Sequence, residues 1–90
     1  MNLPLTGELT FASVPKVLDD ASDKLRDGTD AVTVDLSGVT RADSAGVALL
    51  LEVTRLAKER GREVSFKGAP EQVHKLAGFF GLSELLKFSA

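Results

Sequence analysis

Two hydrophobic periods alternate along this chain, and that alternation restricts its fold more than any other feature. Leu3, Leu5, Gly7, Leu9 and Phe11 occupy every second position, the repeat of a strand with one buried face. Gly7 interrupts that row and is expected to mark a bend or bulge. A helical stripe follows in Val14, Val17, Leu18, Ala21 and Leu25. Ser13 is placed to cap it, and Pro15 sits in the first turn, where a missing N–H costs little. Asp19, Asp20, Asp23, Lys24 and Arg26 read as its solvated face rather than a metal site, and Asp27-Gly28-Thr29-Asp30 ends it. Residues 31–36 are the clearest strand, with Val32, Val34 and Leu36 on one face and Thr33 and Asp35 on the other. Residues 37–42 read as a loop leading into a helix that begins near Ser44, runs to Arg60 and stops at Gly61. Residues 63–67 alternate again around Val64 and Phe66. Gly68-Ala69-Pro70 then turns the chain into a helix with Val73, Leu76, Ala77 and Phe80 on its stripe, closed by Gly81. A short last helix, 83–88, is expected to carry Leu85 and Leu86. Strands alternating with helices predict an α/β fold with crossover connections. The expected architecture is one domain over 1–90, a small mixed sheet with helices packed mainly on one face.

Composition removes several classes of function. Ninety residues without cysteine leave no disulfide scaffold, thiolate chemistry, zinc–thiolate site or iron–sulfur cluster. A net charge of −2 with both signs interspersed gives no nucleic-acid footprint. No apolar run approaches the roughly 20 residues that span a bilayer. Met1-Asn2-Leu3-Pro4-Leu5 lacks the basic region and apolar core of a signal peptide. The chain reads as a cytoplasmic soluble domain without metal or cofactor.

The most informative stretch is Arg41-Ala42-Asp43-Ser44-Ala45-Gly46-Val47-Ala48-Leu49-Leu50-Leu51. Asp43 or Ser44 can cap the first free N–H groups of the helix, and the charge of Asp43 suits the positive end of its dipole. Gly46 and the alanines keep the first turn slim, so that another backbone or a partner surface can approach. At ~100° per residue, Gly46, Val47, Leu50, Val53, Thr54 and Ala57 form the presumed core side. Glu52, Arg55 and Glu59 mark the opposite side together with Ala45 and Ala48, and Leu49 and Leu56 lie on the shoulder. The exposed face is thus small and uncharged in its first two turns, which leaves room for a protein to pack on Ala45, Ala48 and Leu49. The plain alternative, that the alanines are only good helix formers, stays open. Ser44 has three candidate roles: cap, phosphorylation acceptor and nucleophile. Nucleophilic catalysis needs a base beside it, and His74, the only histidine, lies mid-helix far along the chain. Asp35 and Asp43 alone make a weak metal or acid–base pair. No phosphate-binding glycine loop is present. Arg41 can meet an acidic partner residue. Nothing in the sequence supports an enzyme.

Leu5-Thr6-Gly7-Glu8-Leu9, Val32-Thr33-Val34-Asp35-Leu36-Ser37-Gly38-Val39 and Asp43-Ser44-Ala45-Gly46-Val47-Ala48-Leu49-Leu50, in that order, resemble the STAS domain family. Bacterial anti-sigma-factor antagonists and the cytoplasmic ends of sulfate transporters belong to it. The later stretches around Leu56–Gly61, Val64–Gly68 and Val73–Ala77 look like its MlaB branch. The resemblance implies a non-catalytic cytoplasmic subunit of an ABC complex that moves phospholipids and maintains outer-membrane lipid asymmetry. Such a subunit docks on the ABC ATPase (MlaF-like), with the permease in the same complex, and reaches the inner membrane only through these partners. It also implies a partner-binding or regulatory surface of Arg41, Asp43, Ser44, Ala45, Ala48, Leu49 and Glu52. The alternative it implies is an anti-sigma-factor antagonist switched by phosphorylation of Ser44. STAS domains usually hold a further strand ahead of the Leu-x-Gly-Glu-Leu segment. The chain begins too late for much of it, so a shortened or partner-covered sheet edge is expected.

Overall fold

In the computed structural model, which describes residues 1–89, the chain runs through five short strands and three helices. The strands are β1 (Asn2–Pro4), β2 (Gly7–Leu9), β3 (Val32–Asp35), β4 (Val39–Ala42) and β5 (Val64–Lys67). The helices are α1 (Val14–Arg26), α2 (Ser44–Glu59) and α3 (Glu71–Phe79). The alternation of Val32 and Val34 with Thr33 and Asp35 makes β3 the centre of a sheet ordered β1-β3-β5. Leu3, Val34 and Phe66 lie in one cross-strand row and are fully buried. The other face carries Asn2, Pro4, Thr33, Asp35, Ser65 and Lys67, none of them buried. The α/β class with helices gathered on one sheet face is therefore as the periodicity predicts. The described strand pairs are all parallel, however, and not mixed.

The first apolar row is not one strand. Its residues split at Gly7, where φ is +79°, a left-handed conformation that glycine adopts without a Cβ clash. Asn2–Pro4 pair with β3, while Gly7–Leu9 cross over to pair with β4 in a second, two-stranded sheet. Phe11, expected on the buried face, lies past β2 in a turn and is 83% exposed. The segment 37–42, expected as loop, contains β4. Ser13 stands at the α1 N-cap without capping it: its hydroxyl donates to the Glu8 and Thr10 carbonyls and accepts from the Thr10 N–H.

The chain end also differs. Residues 83–88 form no helix. After a turn in which the Leu85 and Leu86 N–H groups donate to the Leu82 carbonyl, the chain extends along the outer edge of β5. Phe66 N–H donates to the Lys87 carbonyl, and Ser89 N–H to the Phe66 carbonyl. Leu86 is buried, and Phe88 stacks between Phe66 and His74. Pairing with a sheet edge offsets the local helical preference of this leucine-rich stretch.

α2 packs against α1, α3, β4 and β5. One buried cation supports its surroundings. The guanidinium of Arg62, 3% exposed, donates to the carbonyls of Leu25 (3.1 Å), Asp27 (2.7 Å) and Asp30 (2.7 Å). It thereby satisfies the Leu25 and Asp27 carbonyls, which the end of α1 leaves without helical partners, and ties the loop at Asp30 to them.

Candidate functional site

Asp43, not Ser44, caps α2, which begins at Ser44. The Asp43 side chain accepts N–H bonds from Ala45 (2.9 Å) and Gly46 (3.3 Å), and its second oxygen accepts the Phe11 N–H at 3.0 Å. The Phe11 bond is the main cause holding the Asp43 carboxyl below its ordinary range, with the Gly46 and Ala45 bonds and the charge of Arg41 adding to it. Gly46 does admit a close backbone, and that backbone is the chain's own: a Cβ built there would lie 2.3 Å from the Leu9 carbonyl oxygen. Asp43 and Gly46 together fix the start of α2 against β2.

With Asp43 serving as the cap, the Ser44 hydroxyl is left at the surface as the first residue of α2. The exposed stripe of the helix continues through Ala48, Leu51, Arg55 and Lys58, at spacings of four and three residues. This stripe is rotated by roughly 60° from the face expected at 100° per residue. The consequence is a correction. Leu49 is 2% exposed and belongs to the core, because α1 packs on its side of the helix. Arg60, eleven residues and about three turns further on, reaches the Arg26 carbonyl at the end of α1 from that same side. Leu49 cannot meet a partner; Leu51 can. Ala45 and Glu52 lie half-buried at the margin, and Arg41 is exposed on β4. Glu52 is engaged by Arg55, which also bonds Glu59 at 2.6 Å. The Arg55 bonds hold the Glu52 carboxyl below its ordinary range.

Two open depressions flank the stripe and share Leu51. One, of about 340 Å³, is lined by Ser44, Val47, Ala48, Leu51, Phe80 and Leu82. The other, of about 380 Å³, is lined by Leu51, Glu52, Thr54, Arg55, Lys58 and Leu85. Phe80 was expected on the buried stripe of α3; it instead follows the last residue of that helix, half-exposed, edge-to-face with the exposed Phe79. Sequence reasoning did not include Leu51, Phe80, Leu82 and Leu85 in the site. The four–three spacing from Ser44 was the signal that could have found Leu51.

The other chemical candidates are scattered. His74 is exposed and stacks on Phe88 with ring centroids 4.6 Å apart, and no hydrogen bond among the described residues joins it to Ser44. Asp35 is taken up by Ser37, whose hydroxyl and N–H both donate to it and lower its pKa. Among the described residues, no cluster of His, Asp and Glu is placed to hold a metal. No helix among them is long and apolar enough to cross a membrane.

The described residues thus form a small α/β domain with a serine exposed at the head of α2. The family model described as "Mlab, STAS domain" matches residues 1–87, and the chain belongs to this STAS domain family. It is 43% identical over 49 residues to the intermembrane phospholipid transport system binding protein MlaB of Escherichia coli, covering 54% of this chain and 50% of that protein. The chain thus matches about half the length of that curated relative. It is 26% identical over 80 residues to the anti-sigma-B factor antagonist of Staphylococcus aureus, covering 89% of this chain and 74% of that protein. In fold it is similar to the unphosphorylated anti-sigma factor antagonist SpoIIAA, with a TM-score of 0.75, 22% identity, and coverage of 99% and 78%. A sulfate transporter family protein from Wolinella succinogenes superposes with a TM-score of 0.76 at 19% identity, covering 97% of this chain and 74% of that one. These relationships support a regulatory role of the STAS type.

Proposed function

We propose that this chain is a non-catalytic STAS subunit that binds and supports the ATPase of an ABC phospholipid transporter of the Mla type. In this reading it sits on the cytoplasmic side of the inner membrane through the ATPase and permease, and serves outer-membrane lipid asymmetry. The observation that carries the reading is the exposed Ser44-Ala48-Leu51 face, with an apolar depression on its Phe80 side. A monomer does not need such a surface, and a partner covering it removes apolar area from water. The relationship to MlaB supplies the kind of partner. Ser44, Ala48 and Leu51 form the centre of the proposed interface, with Arg41, Asp43, Ala45 and Glu52 at its margin.

A second reading has its own support. The relationship to an anti-sigma-B factor antagonist spans more of the chain, and Ser44 is exposed at a helix N-terminus, where a phosphate is electrostatically favoured. In that reading a partner kinase modifies Ser44, and the added charge and bulk prevent docking.

A tagged pull-down from the native cell, with co-purifying proteins identified by mass spectrometry, separates the two. Recovery of an ABC ATPase with its permease supports the transporter subunit. Recovery of an anti-sigma kinase in their place overturns it and makes Ser44 a switch.

A further inference from the structure

The groove on α2 changes character along its length, and that gradient restricts what can fill it. Around Ala48 and Leu51 its walls are apolar, whereas its far end carries charge. Arg55 contributes little there, because its guanidinium is held by Glu52 and Glu59. Lys58 and Lys87 differ. Both are exposed, both line one depression of about 120 Å³ beside Leu85, and neither makes a salt bridge among the described residues. Glu63 lines the same depression without coming within salt-bridge distance of either, and Arg62, also in its lining, is held by the Leu25, Asp27 and Asp30 carbonyls, so Lys58 and Lys87 are the two cations there left without a partner among the described residues. The extended chain end places Lys87 there: the Lys87 carbonyl is tied to the Phe66 N–H on the edge of β5, while Lys58 projects from the last turn of α2.

We propose that this face takes a partner segment in which a large apolar side chain, seated between Leu51 and Leu85, is followed by a carboxylate that lies between Lys58 and Lys87. The proposal rests on the ATPase-binding reading and specifies the chemistry of the segment the ATPase presents. Charge complementarity selects this segment: an apolar anchor matches the Leu51–Leu85 walls, and an anion is the group that two unpaired lysines select. Because both cations are at the rim, their contribution acts through encounter and register, and it falls with salt.

The test measures binding of the purified ABC ATPase of the host's phospholipid transporter to four forms of the full chain, at low and at high salt. The forms are wild type, Lys58→Glu/Lys87→Glu, Leu51→Glu and Lys16→Glu/Lys24→Glu. The last makes the same change in net charge on α1, away from the groove. The expected result is a Kd raised roughly tenfold or more by the Lys58/Lys87 reversal, loss of most of the wild-type salt dependence, and no such change in the Lys16/Lys24 control. Circular dichroism confirms that each variant is folded. Wild-type affinity in the Lys58/Lys87 variant, with binding lost in Leu51→Glu, overturns the lysine proposal and leaves the docking face standing. Equal weakening by both double reversals also overturns it, since net charge alone then explains the effect. No binding by the wild-type chain overturns the ATPase reading itself.

Discussion

Replacing Gly46 with alanine tests whether the head of α2 is fixed by direct contact with β2. In an ordinary helix this change stabilises by up to about 1 kcal/mol, because alanine has the better helix propensity. Here the new Cβ would stand 2.3 Å from the Leu9 carbonyl oxygen, 3.0 Å from the Leu9 Cβ and 3.2 Å from its carbonyl carbon. The nearest atom is backbone, in a strand whose Leu9 side chain is fully buried, so no flexible group can yield. Overpacking of this kind costs about 1–3 kcal/mol. Displacing the Leu9 carbonyl also weakens its bond from the Asp43 N–H, 3.2 Å long, worth about 1 kcal/mol. The terms combine to a net loss of about 1–3 kcal/mol. For a domain of this size each kcal/mol lowers Tm by about 4–8 °C. Gly78→Ala is the matched control. That glycine lies in α3, and its added Cβ meets only the Ser83 Oγ at 3.6 Å, an ordinary contact. Thermal unfolding followed by far-UV circular dichroism should show Gly46→Ala melting well below wild type and Gly78→Ala at or above it. A Gly46→Ala protein as stable as wild type would refute the close packing of α2 on β2.

Further outcomes are expected elsewhere in the molecule. Arg62→Met removes the guanidinium from two carbonyls at the end of α1 and one in the loop after it. It should cost about 2–4 kcal/mol in urea unfolding, and a change under half a kcal/mol would contradict that role. The Asp43 carboxyl is held below its ordinary range in the folded state, so its contribution to stability is present above the unfolded value and is lost as pH falls through the lowered folded one. Stability should therefore decline below about pH 4, and less steeply in Asp43→Asn; Asp35 and Glu52, also lowered, account for the slope that remains. An acid titration of equal slope in both proteins would contradict the capping bonds. Ser44→Asp should leave the melting temperature nearly unchanged, since Ser44 is exposed, yet weaken ATPase binding, as read by isothermal calorimetry. Undiminished binding would remove Ser44 from the interface.

Much of this fold was legible because its elements obey local rules. The period-2 rows of β3 and β5, the stripe of α1 and the Asp43 cap need only their own neighbourhood, and each lies where its pattern predicts. β4 was not legible. Its burial runs buried-exposed-exposed-buried, without alternation, and its register against β2 shifts between Gly7 and Glu8. The chain end misled for a related reason. Leu85 and Leu86 favour a helix locally, while the free edge of β5, a tertiary feature, draws residues 87–89 into extended pairing. The site was half legible. Ser44 and Ala48 follow from the cap and the helical period, but Leu49-Leu50-Leu51 places three identical side chains across more than half a turn. Only the position of α1 decides that Leu49 is covered and Leu51 is not. Arg62 carried no sequence signal at all, since a buried cation held by carbonyls leaves no acidic partner to find.

The most direct test of the docking face is methyl NMR on the chain, labelled at alanine and leucine and titrated with the purified ATPase. The account predicts large shifts or broadening at Ala48, Leu51 and Leu85, with Leu3 and Leu5, which line a separate depression against α1, unmoved. Changes centred on Leu3 and Leu5, with Ala48 and Leu51 undisturbed, would contradict it and move the interface to the β1 edge.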